Sequence, residues 1–111
     1  MNESLREIRA SLGEMGKQYP EFMNSFREFS KESSGKEGAL SVKTKELIGV
    51  ALAVVRQCHW CIAIHVKDAL NAGATKNEIM EACFVAVLMG GGPSLMYAQL
   101  AMKAVDDFAK K

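Results

Sequence analysis

Two cysteines three positions apart, Cys58 and Cys61, are followed four residues later by His65 and preceded twelve positions upstream by Glu46. A thiol acts as a nucleophile only as thiolate, and a free cysteine with a pKa of about 8.5 is mostly protonated at neutral pH. Placement in the first turn of a helix lowers that value through free backbone N–H groups and the positive end of the helix dipole. His59 or His65 adds a positive charge or accepts the proton. Because the two thiols are three apart, oxidation of one is resolved by the other with little backbone movement, which is what a reversible dithiol cycle requires. On a helix, positions 58, 61, 62, 65 and 69 share one face, so both sulfurs and the imidazole point to one place.

Glu46 joins this group only if the chain reverses. On one straight helix it would lie about 18 Å from Cys58, at roughly 1.5 Å per residue. A turn near Gln57 lays the flanking helices antiparallel, sets residue 49 opposite residue 65, and brings Glu46 within one turn of the level of His65. The carboxylate then meets the imidazole before it meets the sulfurs, and a relay from Glu46 through His65 to a thiol follows.

The elements that position these groups read as helices throughout. Leu5, Ile8, Leu12 and Met15 recur at three- and four-residue steps among charges over residues 1–17, an amphipathic pattern. Pro20 suits the first turn of a second helix, along which Phe22, Met23, Phe26 and Phe29 form a row expected in the core or in a subunit contact. Residues 33–38 form a polar linker with two glycines. Ser41 is the expected N-cap of a third helix through Glu46 and the apolar run 47–55, which is apolar on every side and so expected to be central. A strand is rejected there because Ala51 and Ala53 are poor strand formers and charged helix formers flank the run. The fourth helix starts near Cys58 and ends at Gly73, placed for a left-handed cap. Thr75 and Glu78 form a capping box that opens the fifth. Gly90, Gly91 and Gly92 end it, and Pro93 starts a sixth through Phe108. The expectation is an all-α bundle of about six helices with the cysteine pair at the N-terminus of the fourth.

Composition narrows the function. A length of 111 residues describes one domain, 1–111. Apolar residues make up 49%, more than so small a domain can hide, which points to a self-associating surface. Fourteen Lys and Arg against thirteen Asp and Glu alternate along the chain, leaving no basic stripe for nucleic acid. The nine-residue run 47–55 falls short of the roughly 20 needed to span a bilayer, and residues 1–17 carry no secretion-type apolar stretch, so a cytoplasmic protein without a membrane partner is expected. In that compartment a C-x-x-C is catalytic or metal-binding rather than structural.

The segments Lys45-Glu46-Leu47-Ile48, Cys58-x-x-Cys61-x-x-x-His65 and Asn71-Ala72-Gly73-Ala74-Thr75-Lys76-Asn77-Glu78-Ile79 together resemble the carboxymuconolactone decarboxylase-like superfamily, in particular its alkylhydroperoxidase D-like branch. The likeness spans about residue 20 to about residue 108. It implies an all-helical homo-oligomer, commonly a trimer or hexamer, and a thiol-dependent peroxidase or disulfide reductase working without metal, flavin or other cofactor. Substrates would be hydroperoxides or disulfides, with electrons returned by a dithiol such as a lipoyl or thioredoxin-like protein. By position, Cys61 matches the sulfur that peroxide oxidises, Cys58 the resolving thiol, and Glu46 and His65 the proton relay. The chain departs from the branch at Trp60, where a further histidine stands in better-characterised members; here His59 comes one residue earlier.

Other readings weigh less. A structural zinc site would recruit Glu46 or His59 as a fourth ligand beside the thiols, yet such sites use two ligand pairs and no second pair is present. Cys83 reads as a small buried hydrophobe, and Trp60 as a packing residue or part of the site mouth. Decarboxylases of the same superfamily act on a lactone without needing the cysteine pair, and a non-enzymatic oxidant sensor is the third class. Turnover of a hydroperoxide with a dithiol separates the first class from both.

Overall fold

The computed structural model describes residues 1–109, so the last two positions of the expected domain lie outside the described residues. Five helices follow one another: α1 Asn2–Gln18, α2 Pro20–Ser33, α3 Val42–Val55, α4 His59–Asn71 and α5 Lys76–Ala109. No strand occurs among the described residues. Local chemistry sets most boundaries as expected. Ser41 Oγ accepts the backbone N–H of Thr44 and opens α3. Thr75 and Glu78 close a reciprocal capping box, the Thr75 N–H donating to Glu78 Oε1 at 2.9 Å and the Glu78 N–H to Thr75 Oγ1 at 3.1 Å. Gly73 takes φ 96° just beyond the C-cap of α4, a conformation that a Cβ would penalise.

The count differs from the expected six because the fifth and sixth helices run on as one kinked element. Only Gly91 leaves helical geometry inside α5, at φ 67° and ψ −152°. That single residue absorbs the interruption required by Pro93, which cannot donate to the preceding turn. Both halves bury residues against the rest of the bundle, Ile79, Cys83 and Ala86 before the break and Ala98, Ala101 and Val105 after it. By length and composition α5 could cross a membrane. Here it is the helix on which the bundle is assembled, packing on both α3 and α4.

The core is small-residue packing between α3, α4 and α5. Val50, Val54, Ile62, Ala63, Val66, Ile79 and Cys83 are fully or almost fully buried. The 47–55 run is therefore not buried on every side: Ile48 and Leu52 are exposed, and they line a cavity beside the thiols. The phenylalanine row is not core either. Phe22, Phe26 and Phe29 are 70%, 50% and 68% exposed, and α2 buries only Met23. Among the described residues α2 packs on α1, and its aromatic face stays half or more exposed.

Candidate active site

The reversal between α3 and α4 is built from three residues. Arg56 caps α3, Gln57 adopts a left-handed φ of 57°, and Cys58 is the extended N-cap of α4. A non-glycine residue at positive φ is strained by about 1 kcal/mol or more, and it persists only where its surroundings over-determine it. Here the Cys58 N–H is held by the Ala53 carbonyl at 3.1 Å. Cys58 and Cys61 form a disulfide with Cα atoms 5.2 Å apart. The Cys61 N–H also donates to Cys58 Sγ at 3.3 Å, so the sulfur of Cys58 occupies the place of an N-cap oxygen. A thiolate there gains a donor and the dipole together.

On the next turn of α4, His65 Nδ1 meets Glu46 Oε1 at 2.8 Å. Glu46 is 6% exposed, and His65 is its hydrogen-bond partner. Its hydrogen bond to His65 raises the histidine pKa above 6.5; burial opposes this, and the negative charges of Glu46 and Asp68 add to it. With Nδ1 committed to Glu46, Nε2 is the nitrogen free for proton exchange. Glu46 is thus no ordinary solvated helix charge, and the antiparallel register expected from a turn at Gln57 is the one observed.

Two further residues shape the pair, and neither was singled out from the sequence. Gly49 stands where residue 49 faces residue 65, and a Cβ there would lie 2.8 Å from His65 Nδ1. An isolated glycine inside a helix usually has a packing reason, which was the available signal. Asp68 lies three residues beyond His65 on the same helix face, and one donor atom from each of Glu46, His65 and Asp68 falls within 4.8 Å of the others. Burial, then repulsion from Glu46, raises the Asp68 pKa.

The remaining candidates fall elsewhere. His59 turns to α1, its Nε2 2.7 Å from Ser4 Oγ. Trp60 is 55% exposed, donates to Glu7 Oε2 at 3.4 Å, and lines the mouth of a cavity near Cys61. Cys83 is wholly buried, and burial pushes its pKa up to about 11. It is the small buried hydrophobe expected.

Two cavities meet at this site. One, about 690 Å³, opens along α3 and is lined by Cys58, Cys61 and His65 with Lys45, Leu52 and Arg56. The other, about 630 Å³, lies between α1, α2 and α4 and is lined by Cys61, His65, Glu46 and Asp68 with Trp60 and Leu12. Cys61 and His65 border both, whereas Cys58 borders only the first. The arrangement can pass a proton between a carboxylate, an imidazole and a thiol, and can store two electrons in a dithiol.

Comparison with known proteins agrees with this architecture. The model of the Carboxymuconolactone decarboxylase family matches residues 20–104. A protein of the cox locus of Paracoccus denitrificans is 40% identical over 104 residues, covering 94% of this chain and 93% of its own. The apo structure of a carboxymuconolactone decarboxylase family protein from Legionella pneumophila superposes with a TM-score of 0.94 at 42% identity, over 98% of this chain and 96% of that one. A Thermotoga maritima member, for which a part in an antioxidative response has been suggested, gives 0.81 at 28% identity, over 94% and 88%. With the family model matching most of the chain and the helical frame shared at this level, the protein belongs to the carboxymuconolactone decarboxylase family.

Proposed function

We propose that this protein is a thiol-dependent oxidoreductase of the alkylhydroperoxidase D-like type, reducing hydroperoxides or disulfides through Cys58 and Cys61. The observation that carries the reading is the Glu46–His65 pair, 2.8 Å across with its carboxylate buried, whose His65 borders both of the cavities that Cys61 of the helix-N-terminal disulfide borders. In the reduced enzyme the Cys61 thiol gives its proton to His65, whose imidazolium Glu46 stabilises. The thiolate attacks the terminal oxygen of the hydroperoxide; the O–O bond breaks, Cys61 becomes a sulfenic acid, and the departing alkoxide takes the proton from His65 and leaves as alcohol. The Cys58 thiol then condenses with the sulfenic acid, a disulfide forms, and water leaves. A dithiol donor, lipoyl or thioredoxin-like in class, returns two electrons and two protons. No metal or other cofactor enters this cycle.

An antioxidant role is in keeping with the suggestion made for the Thermotoga maritima relative. The lactone-decarboxylase reading leaves the dithiol without a task, and a passive oxidant sensor leaves the buried relay without one. The exposed aromatic face of α2, with Leu88 and Met89 exposed on α5, supports a homotrimer or homohexamer, and the site chemistry a cytoplasmic setting. Steady-state turnover of an organic hydroperoxide with a dithiol tests the proposal: the wild type turns over, and the variant with both Cys58→Ser and Cys61→Ser does not while keeping its helical circular dichroism. Full activity in the double variant would refute the thiol mechanism.

A further inference from the structure

The two cavities that meet at Cys61 carry opposite charge. Among the described residues, the α3 cavity is lined by the cations Lys45 and Arg56, and no Asp or Glu lines it. Neither cation is within ion-pair distance of a carboxylate among those residues, and Lys45 Nζ donates to the Lys36 carbonyl at 3.0 Å. The cavity between α1, α2 and α4 has the reverse character. Its charged lining is Glu7, Glu46 and Asp68 around His65, with no Lys or Arg, and the rest is largely apolar. An anion is drawn to the first opening and repelled from the second. Only the first reaches Cys58.

From this we infer that the two half-reactions use separate entrances: a neutral, apolar hydroperoxide reaches Cys61 between α1, α2 and α4, and the reducing dithiol, an anionic one that carries a carboxylate on the same molecule, reaches Cys58 along α3. This rests on the thiol-redox reading above. The donor thiolate attacks Cys58 Sγ, the Cys58–Cys61 bond breaks, and Cys61 departs as thiolate next to His65, which protonates it. The donor's second thiol, giving its proton back to His65, then attacks the mixed disulfide. Cys58 leaves as a thiolate held by the Cys61 N–H, and the donor departs as its own disulfide, two electrons having passed to the protein. Attack on Cys58 releases Cys61 beside the proton relay, where His65 can protonate it. It also leaves the oxidising entrance free.

The test measures the rate at which the oxidised full-length protein is reduced by two donors that differ by one carboxylate, dihydrolipoate and its neutral amide, dihydrolipoamide. A single added charge interacting with Lys45 and Arg56 at the rim favours the anionic donor about fivefold at low ionic strength. High salt brings the ratio towards one, as do Lys45→Ala and Arg56→Ala, whereas Arg56→Lys retains it. Equal rates for the two donors at low salt, or a ratio unmoved by Arg56→Ala, would overturn the assignment of the α3 entrance. Failure of both donors to reduce the disulfide would instead overturn the thiol-redox reading beneath it.

Discussion

Replacing Gly49 by alanine probes the geometry of the relay without touching any of its groups. The new Cβ would stand 2.8 Å from His65 Nδ1, 3.1 Å from Cε1 and 3.2 Å from Cγ. That is about 0.6 Å closer than ordinary contact, and the neighbour is a ring face rather than the end of a flexible chain. A retreat of the imidazole by that amount, away from α3, stretches the 2.8 Å bond to Glu46 beyond useful hydrogen-bond length. Two costs then act together: overpacking of about 1–3 kcal/mol, and loss of a hydrogen bond to a charged, buried carboxylate, about 1.5–3 kcal/mol. Against them stands the helix-propensity gain of alanine over glycine, about 1 kcal/mol. The net expectation is destabilisation by about 1.5–5 kcal/mol, with the His65 pKa falling back towards 6.5 as its bond to Glu46 weakens. Urea denaturation of the reduced protein gives the first quantity and imidazole NMR titration the second. Gly13→Ala is the control, since nothing lies within 4 Å of its Cβ, and it should stabilise α1 by about 0.5–1 kcal/mol. If Gly49→Ala stabilised the protein as Gly13→Ala does, with the His65 titration unmoved, the close approach of the two helices argued here would be wrong.

Three further outcomes follow from the same structure. Glu46→Gln removes the group that most raises the His65 pKa. A raised histidine pKa contributes stability that is fully present below the unfolded value of about 6.5 and lost as pH rises through the folded one. The stability gap between wild type and Glu46→Gln should therefore be larger at about pH 6 than at about pH 9; a gap constant with pH in urea titrations would contradict this. Cys83, buried and with a pKa of about 11, should resist maleimide in the reduced native protein at pH about 8, so that intact mass shows two labels and not three. Gly90→Ala would drive a Cβ into the Ser94 hydroxyl, itself 1% exposed, and should lower stability by about 2 kcal/mol or more in thermal unfolding; an unchanged Tm would refute the close packing inside the kinked helix.

How much of this was legible in the sequence depended on whether the deciding interaction was local. Ser41, Thr75 and Gly73 announce their caps because each acts within four residues of itself. Once the reversal is set near Gln57, the opposition of residues 49 and 65 follows from helix geometry alone. The run-on of α5 through three glycines did not, because packing of both its halves on α3 and α4 overrides the local tendency to break and concentrates the break at Gly91. Phe22, Phe26 and Phe29 repeat at helical spacing whether the face they form is covered by the same chain or by another, and periodicity does not distinguish the two. Asp68 reads as one more helix charge until the fold brings Glu46 across from α3. The opposite charges of the two cavities were invisible for the same reason: Lys45 and Glu46 are neighbours in sequence and line different openings.

The central claim is that Cys61, beside the Glu46–His65 relay, is the thiol that peroxide oxidises and Cys58 the one that resolves it. Electrostatics alone would favour Cys58, whose sulfur occupies the N-cap and accepts the Cys61 N–H. The most direct measurement is mass spectrometry with a sulfenic-acid trap after one equivalent of hydroperoxide. The account predicts a trapped sulfenic acid on Cys61 in Cys58→Ser and a largely unoxidised Cys58 in Cys61→Ser. Sulfenic acid on Cys58 in Cys61→Ser, formed at the wild-type rate, would contradict it and exchange the two roles.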